Sequence, residues 1–386
     1  MNPALQKTLV FLLLIAAGYF LQKKINGKQD LKGIKVLILS VVLPATIFVA
    51  LLKIKISAEL LLLPVGALAL NFILFYAAKK ALPQLGFTTG TSDFRTMVML
   101  IPSLAPGLSC FPFVMEYLGD EPLAIAALAD VGNKVFVLII LYLIAMNWYY
   151  GQRATTEAFS GNPDRKEKLK DLGLSLLREP VNLVIVAAIL MLSFGLNISS
   201  LPGFLETTAV RLAALMTPIV LLFIGMAVRF ERREMTLILR VLAFRSGIAF
   251  FVSGIALLLL PAMAPAMVLL LVIFPQSAVS FWPFAHMSAV EGMRGEKDKP
   301  VFNVDLALNV LACSLPFATV IILTVLSCGE FFTSALTILP LGAALLVVPA
   351  IFVMRNGISS APNVEMEKQP ANGSPAMEIE KKVAVS

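Results

Sequence analysis

The sequence predicts an all-α polytopic membrane protein, built from two inverted five-helix repeats and one additional C-terminal helix. Three observations support this fold class. Apolar runs long enough to cross a bilayer recur along the chain, basic residues fall almost entirely on one side of those runs, and a short proline motif occurs once in each half.

Composition places the chain in a membrane. Of its 386 residues, 59% are hydrophobic and 14% are charged, and the mean hydropathy is +0.88. A soluble domain is about 25% charged, whereas runs of about 20 apolar residues span the hydrocarbon layer. Eleven such runs are predicted as helices, and the first is treated as an uncleaved span rather than a signal peptide: 5–22, 34–52, 58–79, 95–118, 122–148, 179–197, 208–229, 236–260, 267–291, 302–326 and 331–354.

Basic residues determine the predicted orientation. The loops after spans 1, 3, 5, 7 and 9 contain 20 lysines and arginines, and the N-terminus and alternate loops contain 4. Because positive loops stay in the cytoplasm, the N-terminus should lie outside and the C-terminus inside. The +7 net charge is therefore explained by these short loops, and we expect no nucleic-acid partner. We predict a multi-pass protein of the cell (inner) membrane.

The two halves of the chain share motifs in corresponding spans. "SCFPF" at 109–113 in span 4 matches "SFWPF" at 280–284 in span 9, and "LPATIFVALL" in span 2 resembles "TPIVLLFIGM" in span 7. Because five is odd, two five-helix halves must be inverted relative to each other. The predicted domains are 1–148, the cytoplasmic linker 149–178, the second repeat 179–326, an additional helix at 327–354 and a disordered cytoplasmic tail at 355–386.

Prolines interrupt spans 4 and 9 at equivalent places. Paired broken helices in two inverted halves point to the binding site of a secondary transporter, because unpaired backbone groups at that depth require a polar cavity. The alternative interpretation is that these prolines only kink the helices for packing. The prolines concerned are Pro106, Pro112, Pro275 and Pro283.

These segments resemble the auxin efflux carrier family of organic-anion exporters and permeases. The resemblance rests on "AAGYFLQKK", "LSVVLPATIF", "GLSCFPFVMEYLGDEPLAIAAL", "TPIVLLFIGMAV" and "PQSAVSFWPFAHMSAV", which together cover most of residues 10–320. It implies that helices 4 and 9 cross near the bilayer centre. It also implies a scaffold of helices 1, 2, 6 and 7, commonly dimeric, beside a moving transport domain. The eleventh span is additional to the family pattern.

The candidate substrate site combines the two proline motifs with polar residues of span 5. Hydroxyls are expected to donate hydrogen bonds to the substrate, aromatic rings to form apolar walls, and Lys134 to attract an anion. The candidate residues are Ser109, Phe111, Pro112, Phe113, Asn133, Lys134, Ser280, Trp282, Pro283 and Phe284.

Ionisable residues inside the spans are candidates for proton or ion coupling, because a charge in the bilayer is costly. Asp130 and Lys134 share one helix face at i and i+4, and form either a proton-responsive or substrate-responsive pair or a structural ion pair. His286, Asp305 and Glu116 are further candidates, each with an alternative role in packing or at the membrane interface. Arg245 is expected to extend its side chain to the cytoplasmic headgroups, and the alternative is that it attracts anions from the inside.

The sequence favours a secondary transporter, an efflux carrier or permease, that moves small organic anions such as carboxylates, with protons or sodium as coupling ions. Motifs of metallohydrolases, phosphate-binding loops and serine hydrolases are absent, so we predict neither an enzyme nor a cofactor. Cys110, Cys313 and Cys328 have no metal-binding spacing. Two alternatives stay open: a sodium-coupled carrier of the bile acid symporter type, and a membrane receptor or anchor that acts through its tail.

Overall fold

The computed structural model describes residues 3–25, 28–53, 62–154, 180–227, 235–294 and 299–356. Within these ranges every regular element is helical and none is a strand, which confirms the predicted all-α class. The helices of the first half are α1 (Pro3–Leu21), α2 (Lys28–Leu37, the π-helical turn Ile38–Val42 and Leu43–Leu51), α3 (Leu63–Ala81), α4a (Ser92–Leu100), α4b (Pro106–Ser109), α4c (Phe111–Tyr117) and α5 (Asp120–Val135, the π-helical turn Phe136–Ile140 and Leu141–Ala154). Those of the second half are α6 (Pro180–Ser193), α7 (Gly203–Ala214 and Met216–Ala227), α8 (Met235–Leu259), α9a (Pro265–Ile273), α9b (Phe281–Gly292), α10 (Val304–Ser327) and α11 (Ala335–Asn356).

Each of the eleven predicted spans overlaps one of these helical segments. Seven described stretches are long and apolar enough to cross a membrane, and three shorter apolar helices, in α1, α6 and α11, accompany them. The remaining span, α4, is divided into short pieces by its interruption. The helices are those of a multi-pass membrane protein.

Large apolar side chains on the outside of the helix bundle fit a lipid environment. Leu13 in α1 is 70% exposed, Phe194 after α6 is 80% exposed and Leu336 in α11 is 83% exposed. In water this much apolar surface would favour aggregation, whereas in a bilayer it meets acyl chains.

Glycines allow several helix pairs to pack backbone to backbone. A side chain at Gly18 in α1 would collide with the main chain of Leu222 in α7, and one at Gly225 in α7 would collide with the main chain of Ile15. A side chain at Gly132 in α5 would likewise meet Pro64 of α3. Small residues at helix contacts are expected in lipid, where close van der Waals packing drives helix association.

Polar contacts gather the helix ends into two opposite sets. At one end, Thr8 hydrogen-bonds to the hydroxyls of Tyr117 and Ser327, and the Lys53 ammonium lies 2.8 Å from Asp120. At the other end, the Asn303 amide donates to Asp93 and the Tyr149 hydroxyl donates to the Met293 carbonyl. The two sets match the alternation predicted from the loop charges, and which set faces the cytoplasm remains a prediction.

Two predicted segments lie mainly outside the described residues. The predicted linker 149–178 begins inside α5, which continues to Ala154, and its remainder is not described. Of the predicted tail, only the end of α11 is described. Arg95, which is counted above with the basic residues of the loop after span 3, lies in the first turn of α4a, where its guanidinium donates to the carbonyls of Gly90, Pro300 and Val301.

Candidate functional site

The first interruption comprises residues 101–105, between α4a and α4b. Proline restrains the residue before it from helical geometry, and Ala105, which precedes Pro106, has the non-helical angles φ −126° and ψ 63°. Ile101, which precedes Pro102, keeps helical angles. Pro106 and Pro112 then occupy the first turns of α4b and α4c. The N–H groups of a first turn have no partner within the helix, so the missing N–H of proline costs no helical hydrogen bond there. The local sequence thus accounts for a break and for two helix restarts after it.

The second interruption comprises residues 277–280, between the 3₁₀ turn Phe274–Gln276 and α9b. Ser280 is the N-cap of α9b, and its hydroxyl oxygen accepts a hydrogen bond from the backbone N–H of Trp282 at 3.4 Å. Pro283 again lies in the first turn of the restarted helix. Both predicted breaks are therefore present, and both fall before the proline of the matched motif.

Each interruption contains the same kind of local hydrogen bond, from a serine hydroxyl to the carbonyl three residues earlier. The Ser103 hydroxyl donates to the Leu100 carbonyl at 2.7 Å, and the Ser277 hydroxyl donates to the Phe274 carbonyl at 2.6 Å. These serines are 174 residues apart, the same separation as Pro44 and Pro218 in spans 2 and 7. The proline motifs are 171 residues apart, so Ser103 is three residues farther from its motif than Ser277 is from its own.

The interruptions are bonded directly to each other. The Ala105 N–H donates to the Ala278 carbonyl at 2.8 Å, and the Ala278 N–H donates to the Ser109 hydroxyl oxygen at 2.8 Å. The Ser280 N–H donates to the Ser103 hydroxyl oxygen at 3.1 Å. Three backbone N–H groups at the two breaks thereby find acceptors, one carbonyl and two serine hydroxyls, in the protein interior.

Four consecutive carbonyls of the first interruption accept hydrogen bonds from side chains of other helices. Arg245 of α8 donates from Nε to the Ile101 carbonyl at 2.9 Å and from Nη2 to the Ser103 carbonyl at 3.1 Å. Asn71 of α3 donates to the Pro102 carbonyl at 2.6 Å, and Asn133 of α5 donates to the Leu104 carbonyl at 2.9 Å. The expectation that Arg245 extends to the headgroups was wrong, because its guanidinium is buried against this break.

Neutral side chains hold the second interruption. The Ser246 hydroxyl donates to Gln276 Oε1 at 2.6 Å, and Gln276 Nε2 donates back to the Ser246 carbonyl at 3.2 Å. The Val279 N–H donates to the Ser314 hydroxyl of α10 at 3.3 Å. Ser246 directly follows Arg245, so adjacent residues of α8 contact the first interruption and the 3₁₀ turn that immediately precedes the second.

The predicted pair on α5 lies beside the first interruption. Lys134 Nζ is 3.6 Å from Asp130 Oδ2 and donates to Asn182 of α6 at 3.3 Å. Asp130 Oδ1 accepts a hydrogen bond from Asn133 at 2.8 Å. Asn133 also accepts hydrogen bonds from Asn71 and from the Leu104 N–H, so the ion pair is connected to the broken backbone through one amide. This arrangement is compatible with both roles proposed for the pair.

The residues of the two proline motifs differ in accessibility. Phe111 and Phe113 are fully buried, and the Phe113 ring packs 5.5 Å from that of Phe11 in α1. Trp282 is 38% exposed and Phe284 is partly exposed, so only the second motif offers an accessible aromatic wall. The Ser109 hydroxyl hydrogen is already directed to the Ala105 carbonyl at 2.8 Å.

The coupling candidates are spread over the molecule. His286 is buried in α9b, where Nε2 lies 2.9 Å from the Val137 carbonyl in the π-helical turn of α5. Asp305 is exposed in the first turn of α10, and Glu116 is exposed near the end of α4c, 4.0 Å from Lys7. The structure therefore places Asp305 and Glu116 at exposed helix ends.

Several residues at the site were not predicted from the sequence: Asn71, Ser246, Gln276, Ser314 and Lys35, whose ammonium lies 4.3 Å from the centre of the Phe281 ring. The sequence does contain a signal for Asn71. Asn71 and Arg245 are both polar residues within apolar spans, and they are 174 residues apart, which is the repeat distance. Comparison with known proteins adds no assignment: no family model matches this chain, and none of the curated proteins searched matches it.

Proposed function

We propose that this protein is a secondary transporter of small organic anions, an efflux carrier or permease of the auxin efflux carrier type. The observation that carries the proposal is the direct bonding of two helix interruptions, Ala105 N–H to Ala278 O and Ser280 N–H to Ser103 Oγ. Broken helices that meet at mid-depth form substrate sites in transporters, because the half-helices can move while side chains satisfy the freed backbone groups.

The charges near the interruptions favour an anionic substrate. Lys134 is paired with Asp130, whereas Arg245 has no carboxylate partner among the described residues. The buried groups around the first break therefore carry a net positive charge. A carboxylate would compensate this charge, and a cation would be repelled. The exposed faces of Trp282 and Phe284 suit an apolar or hydroxylated substrate body.

Helix packing supports the proposed division into inverted repeats with a scaffold and a moving part. The α1 helix packs closely on α7, and α2 packs on both α6 and α7. In the rest of the molecule α3 packs on α5, and α8 packs on α11. The equivalent local bonds of Ser103 and Ser277 fit the inverted repeat. The same proposal includes a crossing of α4 and α9 and a homodimer built on the scaffold.

Flux through proteoliposomes tests the proposal. We expect uptake of labelled malate or indole acetate and none of a labelled organic cation. Lys134→Ala should reduce anion flux at least tenfold, because Asp130 would then place an uncompensated negative charge beside the substrate. The double variant Ser109→Ala/Ser280→Ala should also lose flux. Ser109→Ala removes the hydroxyl that accepts from the Ala278 N–H, and Ser280→Ala removes the N-cap of α9b. Asp130→Asn should keep binding and lose pH dependence if Asp130 carries the proton. Retained monodispersity in detergent would show that the variants are folded.

One result would restrict the proposal and another would contradict it. Equal flux in the wild type and Lys134→Ala would reduce the α5 pair to a structural ion pair, and a preference for the cation would exclude an anion site. A receptor or anchor would instead keep its function in proline variants at positions 112 and 283 and lose it on deletion after Arg355. Sodium-dependent flux would favour a carrier of the bile acid symporter type.

A further inference from the structure

The first interruption presents an unusual number of backbone oxygens to neighbouring helices. The carbonyls of Ile101, Pro102, Ser103 and Leu104 each accept a side-chain N–H. Unwound carbonyls of this kind are the ligands that transporters use to bind a coupling cation at a broken helix. What these oxygens bind therefore determines whether the carrier needs an ion.

A single guanidinium occupies two of these four carbonyls. Arg245 Nε and Nη2 bond to Ile101 and Ser103, and the residue is only 4% exposed. Arginine stays protonated in proteins and offers its donors in a fixed planar fork. No acidic side chain pairs with it in the part of the chain that the structure describes, so its charge is met by carbonyl dipoles, as the charge of a bound metal cation would be.

The second interruption provides an internal comparison. Its supporting side chains, Ser246, Gln276 and Ser314, are all neutral. Because the two breaks share their backbone bonding, a cation is not required merely to interrupt a helix in this fold. The positive charge at the first break is therefore an additional feature with its own role.

We propose that Arg245 is a positioning residue that serves as a built-in cation in place of a coupling sodium ion, so that the first interruption is formed, and the organic anion binds, without sodium. This inference rests on the proposed transport function. A tethered cation is present in every conformation and cannot be released to either side of the membrane. A sodium ion is excluded from the same oxygens because the guanidinium already lies against them and repels a second cation.

Thermal unfolding of the purified full-length chain tests the inference without any substrate. The melting temperature of the wild type should be the same in sodium, potassium and choline chloride at equal ionic strength. Arg245→Ala should lower it by about 5 °C or more, because two buried carbonyls lose their donors. Millimolar methylguanidinium or sodium should then restore part of that loss by binding the vacated oxygens.

Two variants make the result specific. Ser246→Ala removes a neutral bond from the adjacent position of the same helix, so it should lower the melting temperature with no recovery by either cation. Arg245→Lys keeps the charge but loses the fork, so it should fall between wild type and Arg245→Ala and respond less to added cations. If Arg245→Ala does not fold, the cation response of Arg245→Lys, compared with that of Ser246→Ala, decides the question.

A specific stabilisation of the wild type by sodium would overturn the inference, as would an Arg245 variant that resembles Ser246→Ala in lacking any cation response. Flux of labelled malate that stops when sodium is replaced by choline would also overturn it. These outcomes are separate from failure of the proposed function, because the unfolding assay gives its answer even if no tested anion is transported.

Discussion

The two helix interruptions have the same backbone design and different electrostatic surroundings. In each, a serine bonds to the carbonyl three residues earlier, and a proline follows in the first turn of the restarted helix. The first break is supported by an arginine, two asparagines and, through Asn133, an ion pair, whereas the second is supported by hydroxyls and one glutamine. The local motif thus sets the shape of a break, and the neighbouring helices set its charge.

This difference also predicts how sensitive each break is to mutation. At the first break the Asn133 side chain bonds to several buried groups that would lose a partner without it. At the second break the bonds are fewer and neutral. Because an unsatisfied buried polar group costs more than the bond itself contributes, substitutions at the first break should be the more destabilising.

The largest effect is expected for Asn133→Ala. This change removes the partner of both backbone groups of Leu104 and of the Asn71 and Asp130 side chains. We expect a loss of about 3 kcal/mol in the free energy of unfolding, measured by denaturation in detergent. Asn197→Ala, at an exposed turn, is the matched control and should lose less than about 1 kcal/mol. Equal losses in the two variants would contradict the central role given to Asn133.

An intermediate effect is expected for Gln276→Ala. Two reciprocal bonds with Ser246 are lost, and we expect about 1.5 kcal/mol, since interhelical hydrogen bonds in membranes contribute modestly. The double variant Gln276→Ala/Ser246→Ala should be no less stable than the single Gln276→Ala variant within about 0.5 kcal/mol, because both changes remove the same interaction. Fully additive losses would mean that the two residues are not coupled.

The smallest effect is expected for Ser314→Ala. It removes the single acceptor of the Val279 N–H, at the long distance of 3.3 Å, and should cost about 0.6 kcal/mol. Thr324→Val in the same helix, where the hydroxyl bonds only to the carbonyl of its own helix, should be close to neutral. A loss at Ser314 as large as that at Asn133 would remove the distinction between the two interruptions.

The sequence by itself determined the class of protein, the helical segments and the positions of the two breaks. Those features depend on local properties. Apolar runs must match the bilayer thickness, and a proline such as Pro106, Pro112 or Pro283 is tolerated in the first turn of a helix and disfavoured in its interior. The closeness of Asp130, Asn133 and Lys134 was predictable for the same reason, because i, i+3 and i, i+4 neighbours share one helix face.

Only the tertiary structure decided which side chains satisfy the broken backbone. Sequence reasoning directed Arg245 to the headgroups and gave the Ser109 hydroxyl to a substrate, whereas the first bonds to Ile101 and Ser103 and the second to Ala105 and Ala278. Arg245 is more than 140 residues from both of its carbonyl partners, and Ser109 is 169 residues from Ala278, so these contacts depend on how the helices pack. A long charged side chain in an apolar span can reach either the headgroups or unpaired carbonyls inside the protein. The fold decides between the two, because it sets where the nearest unpaired carbonyl lies.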